Sequence, residues 1–287
     1  MPETLRLSMP SESEPTNNAP TPQRSRLLKV IACEIAFREI CHLAARSPNL
    51  HDLEFLTQGH HDVPNRGREE VQKRIDAVPN GKYEGILVGY GLCSSILTGL
   101  RATHLPLVVP RAHDCITFFL GSKERYQRCF TDRPGTYYYT SGWLECARRR
   151  GLTAGQTGGL LPLQAVNTTQ AAYAQWVAKY GEEKAKYLLE AMGEWTANYT
   201  HGALIDFDFT QPLNLRPQVE QICADRGWQF EEIAGDLGLL RRWLDGDWSE
   251  RDFLIVRPGQ RIAPSYDDRI IVAEPEAPCP TLSGGRA

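Results

Sequence analysis

The feature that most constrains the fold is an alternation: a short run that is apolar throughout, then a segment with helical patterning. LLKVIAC (27–33) precedes EIAFREICHLAAR (34–46), where Ile35, Ile40, Leu43 and Ala44 recur at near-helical spacing. LEFLTQGHHD (53–62) leads into REEVQKRIDAV (68–78), a charged segment with one apolar stripe. YEGILVGYGLC (83–93) runs into a glycine-rich turn followed by a small-residue helix, SSILTGLRA, and LPLVVPRAHDC (105–115) precedes a helix over 116–130. Strands that do not alternate apolar with polar residues must be covered on both faces. Joined by helices, they predict an α/β fold: a Rossmann-like, mostly parallel sheet with helices on both faces.

The pattern continues beyond residue 133. PGTYYYTSGWLE (134–145) reads as a strand entering a turn, 151–165 as a Gly-, Thr- and Leu-rich connector, and 168–195 as helix broken at Gly181. HGALIDFDF (201–209), WQFEEIAG (228–235) and DFLIVRPGQRI (252–262) read as strands, the last one closing the sheet. PQVEQICADRG (217–227) and LGLLRRWLDGDW (237–248) read as helices. With 287 residues and 41% apolar content, the chain can bury a large core. We expect one α/β domain over 27–273, divisible into lobes 27–133 and 134–273, between loose tails at 1–26 and 274–287.

A formal charge of −3 gives no basic footprint for nucleic acid and no polybasic patch for a membrane, which favours a small-molecule substrate. No run reaches the roughly 18–20 apolar residues of a spanning helix. Residues 1–26 lack the apolar core of a secretory signal, so the expected compartment is the cytoplasm, where thiols stay reduced. The eight cysteines include no CxxC or CxxxC pair, so any metal site must be assembled from distant segments.

Three of those cysteines occupy equivalent places. Cys33 ends the first strand, Cys93 closes the turn after the third, and Cys115 closes the polar segment after the fourth. In a parallel sheet these ends share one edge, where ligands bind outside the carboxyl ends of the strands. Three thiolates suit zinc, an iron–sulfur cluster or another thiophilic metal, and leave one coordination position open for catalysis. The competing reading is that the cysteines are small buried hydrophobes, which we adopt for Cys41, Cys129 and Cys223. Cys146 is a reserve candidate, and Cys279 falls in the tail.

Around these thiols the sequence offers polar help. Within RAHDC, His113 can serve as ligand or proton donor, Asp114 can orient it or cap the following helix, and Arg111 can fork onto a carboxylate or phosphate. GYGLCSS puts Gly89 and Gly91 before a helix, as an anion cradle would require, although Ser94 replaces the third glycine of a dinucleotide fingerprint. Trp143 and Glu145 follow another strand and are candidates for the same crevice; the alternative is a packed Trp and a helix-start Glu. His60 and His61 of GHHD point opposite ways if extended, which disfavours joint ligation, and Asp62 is at best rim. Asp206 and Asp208 share a strand face and either cooperate or face solvent.

At Cys33, GYGLC, PRAHDC, LGSKERY, PGTYYYTSGWLE and FLIVRPGQ, the chain resembles a bacterial and archaeal family known as domain of unknown function number sixteen thirty-eight. The likeness spans roughly residues 27–273, and Cys33, Cys93, His113, Asp114 and Cys115 are its matching motif positions. Members look like single-domain α/β proteins and are often encoded near corrinoid-dependent methyltransferase systems. The resemblance therefore implies a one-carbon or methyl-transfer context, with a corrinoid protein or methyltransferase as partner. Three functions fit: a metal-dependent methyltransferase or redox enzyme, an accessory protein that binds a metal or corrinoid and delivers it, or a small-molecule binding module with packed cysteines.

Overall fold

A computed structural model describes residues 24–58, 60, 63–92, 95–149, 177–178, 181–186 and 198–276. The first four strands form as patterned: β1 (Leu27–Cys33), β2 (Leu50–Leu56), β3 (Gly85–Gly89) and β4 (Leu107–Pro110). They pair in parallel in the order β2-β1-β3-β4, with Val30 opposite Leu53 on one side and Leu87 on the other. Both faces are covered. Ile31, Ile86 and Val109 pack with Val71 and Ile75 of helix α2 (Pro64–Asp76). Val30, Leu87 and Val108 pack with Ile40 of helix α1 (Phe37–Ala44) and with Trp243. Successive residues of the inner strands β3 and β4 thus enter different cores and are apolar or glycine throughout, whereas Lys29 of β1 pairs with Asp52 and Glu54 of the edge strand β2.

Two turns divide what the sequence joined. The helix expected over 116–130 breaks at Gly121, whose φ of +81° suits glycine, giving α3 (Ile116–Leu120) and α4 (Lys123–Asp132). Ser122 opens α4 by accepting from the Arg125 amide at 3.1 Å. The expected closing strand 252–262 likewise breaks before Gly259, at φ +82°. Its first half, β8 (Phe253–Val256), pairs antiparallel with β4. Its second half, β9 (Gln260–Pro264), forms an antiparallel ribbon with β10 (Ile271–Pro275), so residues 274 and 275 belong to a strand and not to the expected tail. SSILTGLRA is not helical among its described residues. The Gly99 and Ala102 amides donate to Ile262 and Gln260 of β9, and that tertiary pairing replaces helical bonds.

The second half of the chain builds a separate parallel sheet rather than extending the first. β5 (Thr136–Tyr139), β6 (His201–Asp206) and β7 (Gln229–Ala234) pair in that order, with helices α5 (Ser141–Arg149) and α6 (Arg216–Arg226). Tyr139, Leu204, Val219, Cys223 and Trp228 form its own small core. The chain then returns through α7 (Gly238–Asp245), whose Trp243 donates to the Val108 carbonyl at 3.1 Å, to β8 of the larger sheet. The connector at 151–165 and most of 168–195 lie outside the described residues, as do both terminal segments and Cys279. No helix among the described residues is long and apolar enough to cross a membrane.

Arg111 requires a correction. Its guanidinium does not reach toward a ligand; it donates to the Glu250 carbonyl at 2.8 Å, to Phe253 at 3.2 Å, to Arg269 at 2.9 Å and to Ile271. The fork ties β8 and β10 to the end of β4, because those carbonyls have no ladder partner there.

The two sheets meet where the turn after β1 packs on α5. A Cβ at Gly142 would lie 1.7 Å from the Ile35 carbonyl oxygen, so only glycine permits this approach. Arg38 grips Glu145 with two bonds of 2.8 and 2.7 Å, which assigns Glu145 to this joint and not to the expected cofactor site. Beneath that pair Glu39 is fully buried. Ser141 donates to its Oε1 at 3.2 Å, and Oε2 has no hydrogen-bond partner. Burial pushes its carboxyl from 4.5 up to about 7, against the opposing pull of Ser141 and Arg38.

This carboxyl makes stability depend on pH. Between its unfolded value of 4.5 and its folded value of about 7, the native state keeps a proton that the unfolded chain has lost. Stability therefore falls as pH rises through that window, by about 3 kcal/mol for a shift of this size, and stays lower above it. Glu39→Gln imitates the protonated form. It should raise the melting temperature at pH 8, leave it nearly unchanged at pH 5, and flatten the slope between; a variant no more stable than wild type at pH 8 would exclude this assignment.

Candidate functional site

The order β2-β1-β3-β4 reverses direction between β1 and β3, which opens a crevice at the carboxyl ends of those strands. A cavity of about 540 Å³ lies there, within the size range of small-molecule sites. The larger sheet contributes Cys33 from the end of β1 and Asp114 and Cys115 from beyond β4. The smaller sheet closes it with Tyr137, Tyr138, Thr140 and Trp143.

Local contacts fix each edge. Behind Cys33, the buried Glu34 accepts from Thr57 Oγ1 at 3.1 Å and the Gln58 amide at 2.8 Å, joining the exits of β1 and β2. Arg149 of α5 approaches the other oxygen at 3.4 Å. The exits of β3 and β4 touch more closely: a Cβ at Gly91 would lie 2.6 Å from Asp114 Cα, and the Leu92 amide donates to the Ala112 carbonyl at 2.9 Å. Cys93 follows Leu92 and lies outside the described residues, as do Ser94, Gly59, His61 and Asp62.

Asp114 is the polar centre of the described wall. Oδ1 accepts from the Ile116 amide at 2.9 Å, which starts α3, and Oδ2 accepts from the Tyr126 hydroxyl at 2.8 Å. Burial pushes its carboxyl up, while these two donors hold it down. The neighbouring phenols are raised too: Tyr126 by burial and then by Asp114, Tyr138 to about 12 by burial and by Cys129 and Asp114. Trp143 donates from Nε1 to the Tyr137 hydroxyl at 2.9 Å. The cavity is thus walled by aromatic rings whose hydroxyls stay protonated.

Of the residues expected at the site, Cys33, Gly91, Asp114, Cys115 and Trp143 line this cavity. His113 does not: it is exposed, with its ring centroid 6.4 Å from that of Tyr126. Gly89 is required by packing, since a Cβ there would meet Ala32 Cβ at 2.7 Å and Trp243 at 2.9 Å. Arg111 and Glu145 are engaged elsewhere, as described above. Among the packed cysteines, Cys223 is buried against the Gly202 carbonyl and Cys146 bonds the Trp143 carbonyl at 3.3 Å. Asp206 accepts from Thr210.

The sequence reading missed most of the aromatic wall and disfavoured His60 only as a joint ligand with His61; His60 lines the cavity, its imidazole held below its usual range chiefly by burial. The strings TYYYT and TFFL carried that signal. Among the described residues no group of three His, Cys, Asp or Glu side chains could hold a metal ion, and no described cysteine is in a disulfide. Cys33 and Cys115, 82 residues apart, line one cavity, and a third thiol would have to come from Cys93.

A family model described as Protein of unknown function (DUF1638) matches residues 55–244. The chain belongs to this family. In this DUF1638 protein the matched span includes Cys93, Asp114, Cys115, Tyr126 and β5, whereas Cys33 precedes it. No curated protein and no solved structure matches the chain.

The seam between the β3 and β4 exits can be tested directly. Gly91→Ala must push the two segments apart, and overpacking of this kind costs about 1–3 kcal/mol. Tyr126→Phe keeps the ring but leaves Asp114 Oδ2 without its donor, at a cost of about 1 kcal/mol. Denaturant titration should show both losses; a Gly91→Ala variant as stable as wild type would contradict the contact.

Proposed function

We propose that this cavity is the functional site and that Cys33, Cys93 and Cys115 hold zinc, an iron–sulfur cluster or another thiophilic metal beside a small-molecule substrate. The observation that carries the reading is that Cys33 and Cys115 line one cavity at the strand-order reversal. The bond from Leu92 to Ala112 supports it, because it brings the residue before Cys93 beside the segment that ends in Cys115. Thiolates select soft metals, and a three-thiolate set leaves a position at which a substrate is activated. Asp114 and Tyr126 would orient that substrate, and the aromatic wall would exclude water. The reaction class we favour is methyl transfer or related one-carbon or redox chemistry, with a corrinoid protein or methyltransferase as partner.

A second reading has its own support: within the described residues the cavity is rich in aromatic rings and holds two thiols only, as a metal-free binding module would. Anaerobic purification with metal analysis and a visible absorption spectrum separates the two. On the metal reading, Cys33→Ala, Cys93→Ala and Cys115→Ala each lose metal and lower the melting temperature, and a second such substitution adds little, because the linkage stabilisation is already gone. Cys41→Ala and Cys223→Ala should keep the metal. Metal-free wild-type protein in which the three losses add would refute the site. Turnover of a methyl donor with a corrinoid acceptor distinguishes an enzyme from an accessory protein that hands its metal or corrinoid to a partner.

A further inference from the structure

We propose that the aromatic cavity binds a methylated ammonium group, the charged end of a small quaternary or tertiary amine. The inference rests on the cavity being the functional site, as above, and not on its holding a metal.

Nine of the 24 described lining residues are Phe, Tyr or Trp, against 9% of the chain. Their mutual placement is dense. Tyr126 and Phe130 stack with centroids 6.5 Å apart, Tyr137 and Tyr199 meet edge-on at 5.4 Å, and Trp143 bonds the Tyr137 hydroxyl. Beside them sits one carboxylate, Asp114, whose hydrogen bonds come from a phenol and a backbone amide; it has no ion pair among the described residues, and the exposed His113 pulls on it only through space. The described lining holds no lysine. Its one arginine, Arg133, pairs with Glu231, and His60 is held toward its neutral form by burial.

Those charges decide the ligand class. A phosphate or carboxylate would meet Asp114 and find no uncommitted cation among the described lining. A primary ammonium or a guanidinium would bring several N–H donors against a wall in which the ring faces of nine residues offer none an acceptor, where each unpaired donor is penalised. A methylated ammonium has few or no donors to satisfy, is weakly hydrated, and is attracted both by ring faces and by a nearby carboxylate. The cavity is larger than such a group, which leaves room for the remainder of the molecule. Binding there would put N-methyl groups in the same cavity as the Cys33 and Cys115 thiols, where the proposed methyl chemistry needs a donor.

Calorimetric titration of the full-length protein with choline and with neohexyl alcohol, its uncharged isostere, tests the idea. Choline should bind about tenfold or more tighter than the alcohol, a gap of about 1.4 kcal/mol. Asp114→Asn and Tyr138→Leu should each weaken choline by about tenfold, and Asp114→Asn should leave the alcohol unaffected. Equal binding of the two ligands would mean a merely apolar pocket and overturn the proposal, as would binding of neither, or an Asp114→Asn variant with wild-type choline affinity. Should Asp114→Asn fail to fold, the ratio of the two ligands on wild type and on Tyr138→Leu decides alone. Measuring metal content on the same samples, before and after chelation, keeps the two readings apart: metal-free protein that still discriminates choline fails the metal assignment only, and metal-bearing protein that ignores choline fails this one only.

Discussion

The approach of Gly142 to the Ile35 carbonyl holds the smaller sheet over the carboxyl edge of the larger one, and the cavity is the space this leaves. Neither sheet would enclose it alone. Cys33 and Cys115 come from the larger sheet's edge, and Tyr137, Tyr138 and Trp143 from the smaller sheet's first strand and helix. Both components of the site therefore depend on one backbone contact that a single methyl group would forbid. The Arg38–Glu145 pair reinforces the same joint from its partly exposed side, where ion pairs contribute little energy but fix geometry.

The central sheet was legible in the sequence because burial on both faces imposes a composition that no other arrangement tolerates. GILVG and LVVP carry that signature in full, and LLKVIAC carries it except at Lys29, which pairs with the edge strand's carboxylates. The smaller sheet was less legible: TYYY and QFEEIA alternate or carry charge, as strands partly open to solvent do, and nothing in such a pattern states which sheet a strand will join. Helical spacing misled at SSILTGLRA, where pairing with β9 outweighs weak local preference. Gly121 and Gly259 were visible as residues, but a left-handed turn is fixed by what lies on either side of it, which periodicity does not encode.

For the cavity, the topological argument located the edge where it opens, and the inventory of polar residues around it was uneven. Knowing that strand ends share an edge was enough to bring Cys33, Gly91, Asp114 and Cys115 to one cavity. It could not tell which polar residue points in. Arg111, His113 and Asp114 lie within four positions, yet one is consumed by backbone carbonyls, one is exposed and one is inside. A side chain's direction depends on the chain that packs beside it, here residues 250–271 for Arg111 and Tyr126 for Asp114. Of the aromatic residues only Trp143 was a candidate; the tyrosines of β5 serve two roles, as Tyr137 packs against Tyr139 of the small core while lining the cavity.

Two buried carboxyls show how the protein divides stability from function. Glu39 and Asp114 are both pushed up by desolvation, but only Asp114 has donors on both oxygens. Glu39 lies under the joint with one oxygen unpaired, a costly arrangement that an apolar side chain of similar size would avoid. Asp114 accepts from a phenol and an amide, has no ion pair among the described residues, and is pulled down through space by the exposed His113. A carboxylate with a phenol and an amide as donors keeps most of its field available, because neither donor carries a full positive charge to cancel it. On the proposed reading, what enters the cavity brings a positive charge to that field without asking the rings for hydrogen bonds.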